Sequence, residues 1–76
     1  KMFCISDDID TAVGLKLAGI KSVIIKNEND VDLEIEKVVK NKEIGILIVT
    51  EKVYEMGKEK LNYIKNNKNL PLIVKI

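Results

Sequence analysis

The chain has 76 residues, of which 46% are hydrophobic, with one Cys, no His and no Trp. A chain of this size buries roughly 60% of its unfolded surface, so nearly every apolar residue is expected in the core of one domain spanning residues 1–76. Thirteen basic against twelve acidic residues leave a formal net charge of +1; the charges are interspersed and only two Tyr and one Phe are present, which excludes nucleic acid as the expected partner.

The first element is a strand, "MFCIS", that runs directly into "DDID". Cys4 lies inside the apolar run, where a small thiol packs well, and it is read as a buried core residue of an intracellular protein. Asp8 or Asp10 is placed to accept hydrogen bonds from the free N–H groups of the first helical turn, where the helix dipole also favours negative charge. The helix that follows carries one charge, Lys16, between Thr11 and Ile20. At 100° per residue it presents two stripes, Ile9, Val13, Leu17 and Ile20 on one side and Thr11, Gly14, Leu15 and Ala18 on the other. Only one can face a sheet, so the other is expected to meet a second helix or a partner. Gly14 in a helix interior costs about 1 kcal/mol relative to alanine, and close approach of another backbone is the expected reason for it.

"SVIIK" is the second strand. An amphipathic helix follows near Asp30 to Lys40, with Val31, Ile35, Val38 and Val39 on one face and Glu34, Glu36, Lys37 and Lys40 around the other. The third strand, "GILIVT", is apolar on both faces and is therefore central. Thr50 is the expected N-cap of one further helix that aligns Val53, Gly57, Leu61 and Ile64 and stops at "NNKN". Pro71 suits the start of a final edge strand, "LIVKI". Short Ile- and Val-rich runs joined by helices predict an α/β fold, an open four-stranded parallel sheet in the order 2-1-3-4, Rossmann-like or receiver-like, with right-handed crossovers. No apolar run approaches the ~20 residues that span a bilayer, and no apolar leader precedes Ser6. The chain reads as soluble and cytoplasmic, and residue 1 being Lys suggests a trimmed start.

Ligands of open parallel sheets bind beyond the carboxyl ends of the strands, where Asp7, Asp8 and Asp10 lie. A receiver-type phosphoacceptor domain would hold magnesium with paired acids here and take the phosphoryl group on a third carboxylate after the third strand. Thr50 stands at that point, with Glu51 next to it as a weak oxygen donor. Acids also occupy the turn where a phosphate loop needs glycines. With no His, and no Ser or Cys at a recognisable distance from a base, the reading assigns no catalytic, cofactor or metal residues. A receiver-like phosphoacceptor, or a small-ligand or metal switch, is the second reading.

"SDDIDTAVGLKLAGI", "IGILIVTEK" and "LPLIVKI", at these spacings, resemble the F subunit of the V-type and A-type rotary ATPases and ATP synthases. The matching positions are Asp8, Asp10, Thr11, Gly14, Leu15, Ala18 and Gly19, then Thr50 and Glu51, then Pro71; Ser6 and Leu15 stand where glycine and phenylalanine are common. The resemblance implies a non-catalytic central-stalk component, with no cofactor, that binds the D subunit of the rotor and couples ATP hydrolysis or synthesis to proton or sodium transport. It also implies a place at the membrane surface as part of the complex, without insertion. Relatives continue past the position of Ile76 into a segment that reaches the catalytic head, a contact expected to be missing here. Counting what covers each face of the sheet places an uncovered area beside the first helix, over the third and fourth strands, where the D subunit or the C-terminal segment of the relatives is expected to dock. Leu15, Leu17, Ala18, Ile73 and Lys75 are the candidate interface residues; alternation in the last strand leaves Leu72 and Val74 as the other outward set, and Lys75 favours its own.

Overall fold

The computed structural model describes all residues, Lys1–Ile76. In chain order the elements are β1 (Met2–Ser6), α1 (Ile9–Leu17), β2 (Lys21–Ile24), α2 (Glu28–Lys40), β3 (Ile46–Val49), α3 (Glu51–Met56), α4 (Lys58–Asn67) and β4 (Leu72–Lys75). The strands form one sheet in the order β2-β1-β3-β4, and every neighbouring pair is parallel. This is the α/β topology expected from the sequence. β3 is central because Leu47 and Val49 fill one face while Ile48 is buried on the other. No helix is long and apolar enough to cross a membrane.

One core holds the sheet together. Ile5, Leu47 and Val49 from the strands meet Val31, Ile35 and Val38 of α2, Val53 of α3 and Leu61 and Ile64 of α4. All of these are at most 2% exposed, and burial at roughly 1.5–3 kcal/mol per large aliphatic side chain makes this face the main source of stability. An exposed ion pair between Lys60 and Glu36, at 2.8 Å, links α4 to α2 over it. The helix predicted after Thr50 is two helices. Its register holds, but α3 closes at Gly57 (φ −111°, ψ 24°), where the Gly57 N–H still bonds to the Val53 carbonyl, and α4 starts at the next residue. A Cβ at Gly57 would lie 2.8 Å from both Ile35 Cδ1 and Val31 Cγ1, so the bare backbone at this joint is what α2 packs against.

The opposite face is covered by α1 alone, which lies over β1 and β2. Ala12 is its one buried residue. Gly19 ends the segment in the left-handed region, at φ 86°, where glycine has no Cβ to clash. Parity in β4 is the reverse of the expected one. Ile73 packs against the core and pairs with Leu47, while Lys75 pairs with Val49 and lays its ammonium 5.0 Å from the Tyr54 ring centroid. Lys75 can occupy the covered face because its aliphatic stem lies along apolar surface while the charge reaches the ring and the edge. Leu72 and Val74 therefore form the outward set.

Candidate functional site

Two regions merit attention: the carboxyl edge with its aspartates and the open half of the α1 face. At the edge each acid has a local task. Asp8, extended at φ −116°, ψ 124°, is the N-cap of α1, and its Oδ2 accepts from the Thr11 N–H at 2.9 Å and the Thr11 hydroxyl at 2.7 Å. Asp10 lies in the first turn of α1. Asp7 Oδ1 accepts from the Thr50 hydroxyl at 2.6 Å, and Thr50 Oγ1 in turn accepts from the Val53 N–H at 3.3 Å. Thr50 is thus both the expected cap of α3 and a tie between two loops 43 residues apart. Ser6, fully buried, donates to the Asp8 carbonyl at 2.8 Å and accepts from the Asp8 N–H at 2.9 Å. No three of the chain's Cys, Asp and Glu side chains gather in a group that could hold a metal ion.

The Asp8 carboxyl is held below its ordinary value first by the Thr11 hydroxyl and then by the Thr11 N–H. A carboxyl depressed in the folded state stabilises the fold above its unfolded value, about 4, and loses that contribution as pH falls through the folded value. Asp8→Ala is accordingly expected to lower the melting temperature at pH 7, and the difference from the wild type is expected to shrink near pH 2. Thermal melts followed by circular dichroism at the two pH values check it; an equal difference at both would rule out the charged cap. Cys4 behaves as the sequence suggests, being fully buried. Burial pushes its thiol up, against a smaller opposing effect of the Ser22 hydroxyl, and a thiol so placed is unreactive.

A cleft of about 360 Å³ opens at the carboxyl edge, lined by Asp7, Ile9, Ile24, Ile25, Lys26, Lys52 and Met56. Lys26 and Lys52 are exposed. A second concavity of about 710 Å³ between α2 and the α3–α4 joint is lined mainly by charged side chains, among them Asp32, Glu55 and Lys60.

The α1 face carries the unusual surface. Leu72, Val74 and Ile76, alternating along β4 and the residue after it, are 58%, 43% and 54% exposed, and Ile46 next to Leu72 is partly exposed. On α1, Ala12 and the half-buried Leu15 look down at the sheet, whereas Leu17 is 85% exposed. Leu15 therefore leaves the outward set and Leu17 stays in it. Ile9 shares the carboxyl-edge cleft with Ile24 of β2, which fixes the sense of rotation: Ile9 and Val13 lean toward β2, and Gly14 and Ala18 toward β3. A Cβ at Gly14 would meet nothing within 4 Å. The close approach expected at Gly14 is absent within the chain itself, and its flank is free. Sequence reasoning held Leu72 and Val74 only as the alternative outward set, because Lys75 is a misleading marker of exposure at a sheet edge.

A family model described as "ATP synthase (F/14-kDa) subunit" matches residues 2–76. The F subunit of the A-type ATP synthase of Methanocaldococcus jannaschii is 36% identical over 58 residues, a stretch covering 75% of this chain and 59% of that protein. Its counterpart in the A-type ATP synthase of Methanococcus maripaludis strain C5 is 32% identical over 73 residues, 87% of this chain and 74% of the relative. The chain thus spans less than two thirds of the first of these relatives. Among solved structures, the F subunit of the V-type ATP synthase of Archaeoglobus fulgidus superposes with a TM-score of 0.76 at 18% identity, over 99% of this chain and 94% of that one, a likeness of fold.

Proposed function

The chain belongs to the family of ATP synthase (F/14-kDa) subunits, and on that premise we propose that it is a non-catalytic, single-domain component of the central rotor stalk that binds the D subunit through the open half of its α1 face. The observation that supports this most is the row Leu72, Val74 and Ile76, left exposed beside a helix flank of Gly14 and Ala18. Apolar area of this kind is what a partner covers. Leu17 and Ala18 continue the surface onto α1; Ile73 and Lys75 belong to the other face and drop out of it. In this role the protein transmits torque between ATP turnover and cation transport from the cytoplasmic surface of the membrane, and its contribution is mechanical.

Calorimetric titration of the chain with the purified D subunit tests the reading. A saturable stoichiometric complex is expected. No binding in that titration, together with a saturable response to magnesium and a phosphoryl donor, would replace it with the switch reading.

Gly14 gives a sharper check because its two expected effects have opposite signs. In the free chain Gly14→Ala removes the roughly 1 kcal/mol helix-interior penalty of glycine and meets no neighbour, so the melting temperature is expected to rise. In the complex the added methyl sits where a partner backbone approaches, so the affinity is expected to fall. A rise in stability with unchanged affinity would take the interface away from this flank.

A further inference from the structure

We infer that the unassembled chain pairs with a second copy of itself along the free edge of β4, antiparallel and about a two-fold axis at Val74, joining the two sheets into one. The pairing does not depend on what covers the α1 face in the assembled stalk.

Hydrogen bonding along β4 defines the edge. The Leu72 N–H donates to the Gly45 carbonyl at 2.8 Å and the Ile76 N–H to the Val49 carbonyl at 3.0 Å, so by alternation Leu72, Val74 and Ile76 turn their backbone groups toward β3. Ile73 and Lys75 turn theirs away. β4 ends the sheet, and the backbone groups of Ile73 and Lys75 bond to no loop or turn. They form a template for another strand.

The residues of β4 select both the register and the occupant. An antiparallel partner exchanges bonds between outward-turned residues, so the two-fold axis can fall at Ile73, Val74 or Lys75. At Ile73 it brings Lys75 against Pro71, which has no N–H to give. At Lys75 it sets two ammonium groups directly opposite each other, which is destabilising. At Val74 every bond is made, because Ile73 of each copy exchanges both of its bonds with Lys75 of the other. The axis is perpendicular to the sheet, so the α1 faces of the two copies lie on the same side. There the two Val74 side chains meet in a non-hydrogen-bonded pair, with Cα atoms ~4.5 Å apart, and Leu72 meets Ile76 on either side of them. All three are exposed in the single chain. On the opposite face each Lys75, laid over Tyr54, stands across from an Ile73. The strand is its own complement, and this favours a second copy over an unrelated strand. One strand pair buries less than the ~800 Å² per partner of a standard interface, so the dimer is weak and forms at high chain concentration.

Sedimentation of the chain alone, from micromolar to millimolar, tests the pairing, and its outcome is separate from that of titration with the D subunit. The parent chain is expected to pass from monomer to dimer; a monomer throughout the range would overturn the inference. Lys75→Pro removes an outward N–H and leaves the bonds to β3, a place where an edge strand tolerates proline. Val74→Glu sets two carboxylates opposite each other. Both variants are expected to stay folded and monomeric, and dimerisation of either folded variant as strong as the parent's would overturn the edge pairing. Disulfide trapping reads the register, because Cα atoms ~4.5 Å apart lie within the span of a bridge. In a glutathione buffer Val74→Cys is expected to give severalfold more covalent dimer than Leu72→Cys, whose two copies lie ~13 Å apart along the strands. The fully buried Cys4 does not compete. Equal or greater bridging at position 72 would overturn the register.

Discussion

Gly57→Ala is expected to destabilise the chain by about 1–2 kcal/mol net, and Ile35→Val is expected to return part of that loss. The substitution has two opposing effects. At φ −111° and ψ 24° alanine is sterically allowed, and removing a glycine from the unfolded chain stabilises by ~0.4–1 kcal/mol. Against this, the new methyl would stand 2.8 Å from Ile35 Cδ1 and 2.8 Å from Val31 Cγ1, and overpacking of a filled core costs ~1–3 kcal/mol. Overpacking should win because both neighbours are fully buried and Val31 is β-branched, with little rotamer freedom to move aside. Ile35→Val removes one of the two clashing atoms. Alone it should cost ~0.5–1.5 kcal/mol as a core truncation; combined with Gly57→Ala it should cost nothing or restore stability, a coupling of at least ~0.5 kcal/mol. Urea denaturation of the four proteins measures this, and strict additivity would show that α2 does not rest on the Gly57 backbone.

The same joint marks the limit of what pattern alone conveys. Val53, Gly57, Leu61 and Ile64 keep helical register across the break, so periodicity reads one helix. The local cue to the interruption is Gly57, which caps α3 but also fits the apolar stripe as a small buried residue against Ile35 and Val31, so pattern alone reads through it. The strand order was legible because parallel strands covered on both faces must be continuous apolar runs, and "ILIV" is apolar on both parities. The Thr50 cap was legible because it acts within three residues. Its hydroxyl's bond to Asp7, across 43 residues, was not. At the proposed interface the sequence placed the region but not the residues. Period-2 alternation leaves two equivalent choices in β4, and Lys75, the cue used to decide, follows its stem and the Tyr54 ring more than any rule about charge and exposure. On α1 hydrophobicity misleads the choice between Leu15 and Leu17: the more apolar stripe, with Ile9, Val13 and Leu17, is the exposed one, and the residue buried against the sheet, Ala12, belongs to neither stripe.

The outward parity of β4 makes the largest prediction for assembly. Val74→Glu is expected to leave the fold intact, since Val74 is already 43% exposed and its backbone pairing with Ile48 does not depend on the side chain. In the complex the outcome is different. The substitution forfeits the ~1.5–3 kcal/mol that burial of an aliphatic side chain supplies and sets an unpaired carboxylate under the partner, where removal from water costs several kcal/mol more. A loss of at least roughly 3 kcal/mol follows, a weakening of binding to the D subunit by ~100-fold or more. Leu33→Glu is the matched control: Leu33 is exposed on α2, on the far side of the sheet, and the same charge there should leave affinity unchanged. Ile73→Glu should do the reverse of Val74→Glu. Ile73 packs against the core, so a charge there should unfold the chain before any binding can be measured. The three variants together distinguish a surface anchor from a core residue and from bystander surface, by melting temperature and by titration with the same partner. If Val74→Glu bound the D subunit as tightly as the parent chain, the docking surface would have to be sought at the carboxyl edge, around the cleft between Lys26 and Lys52.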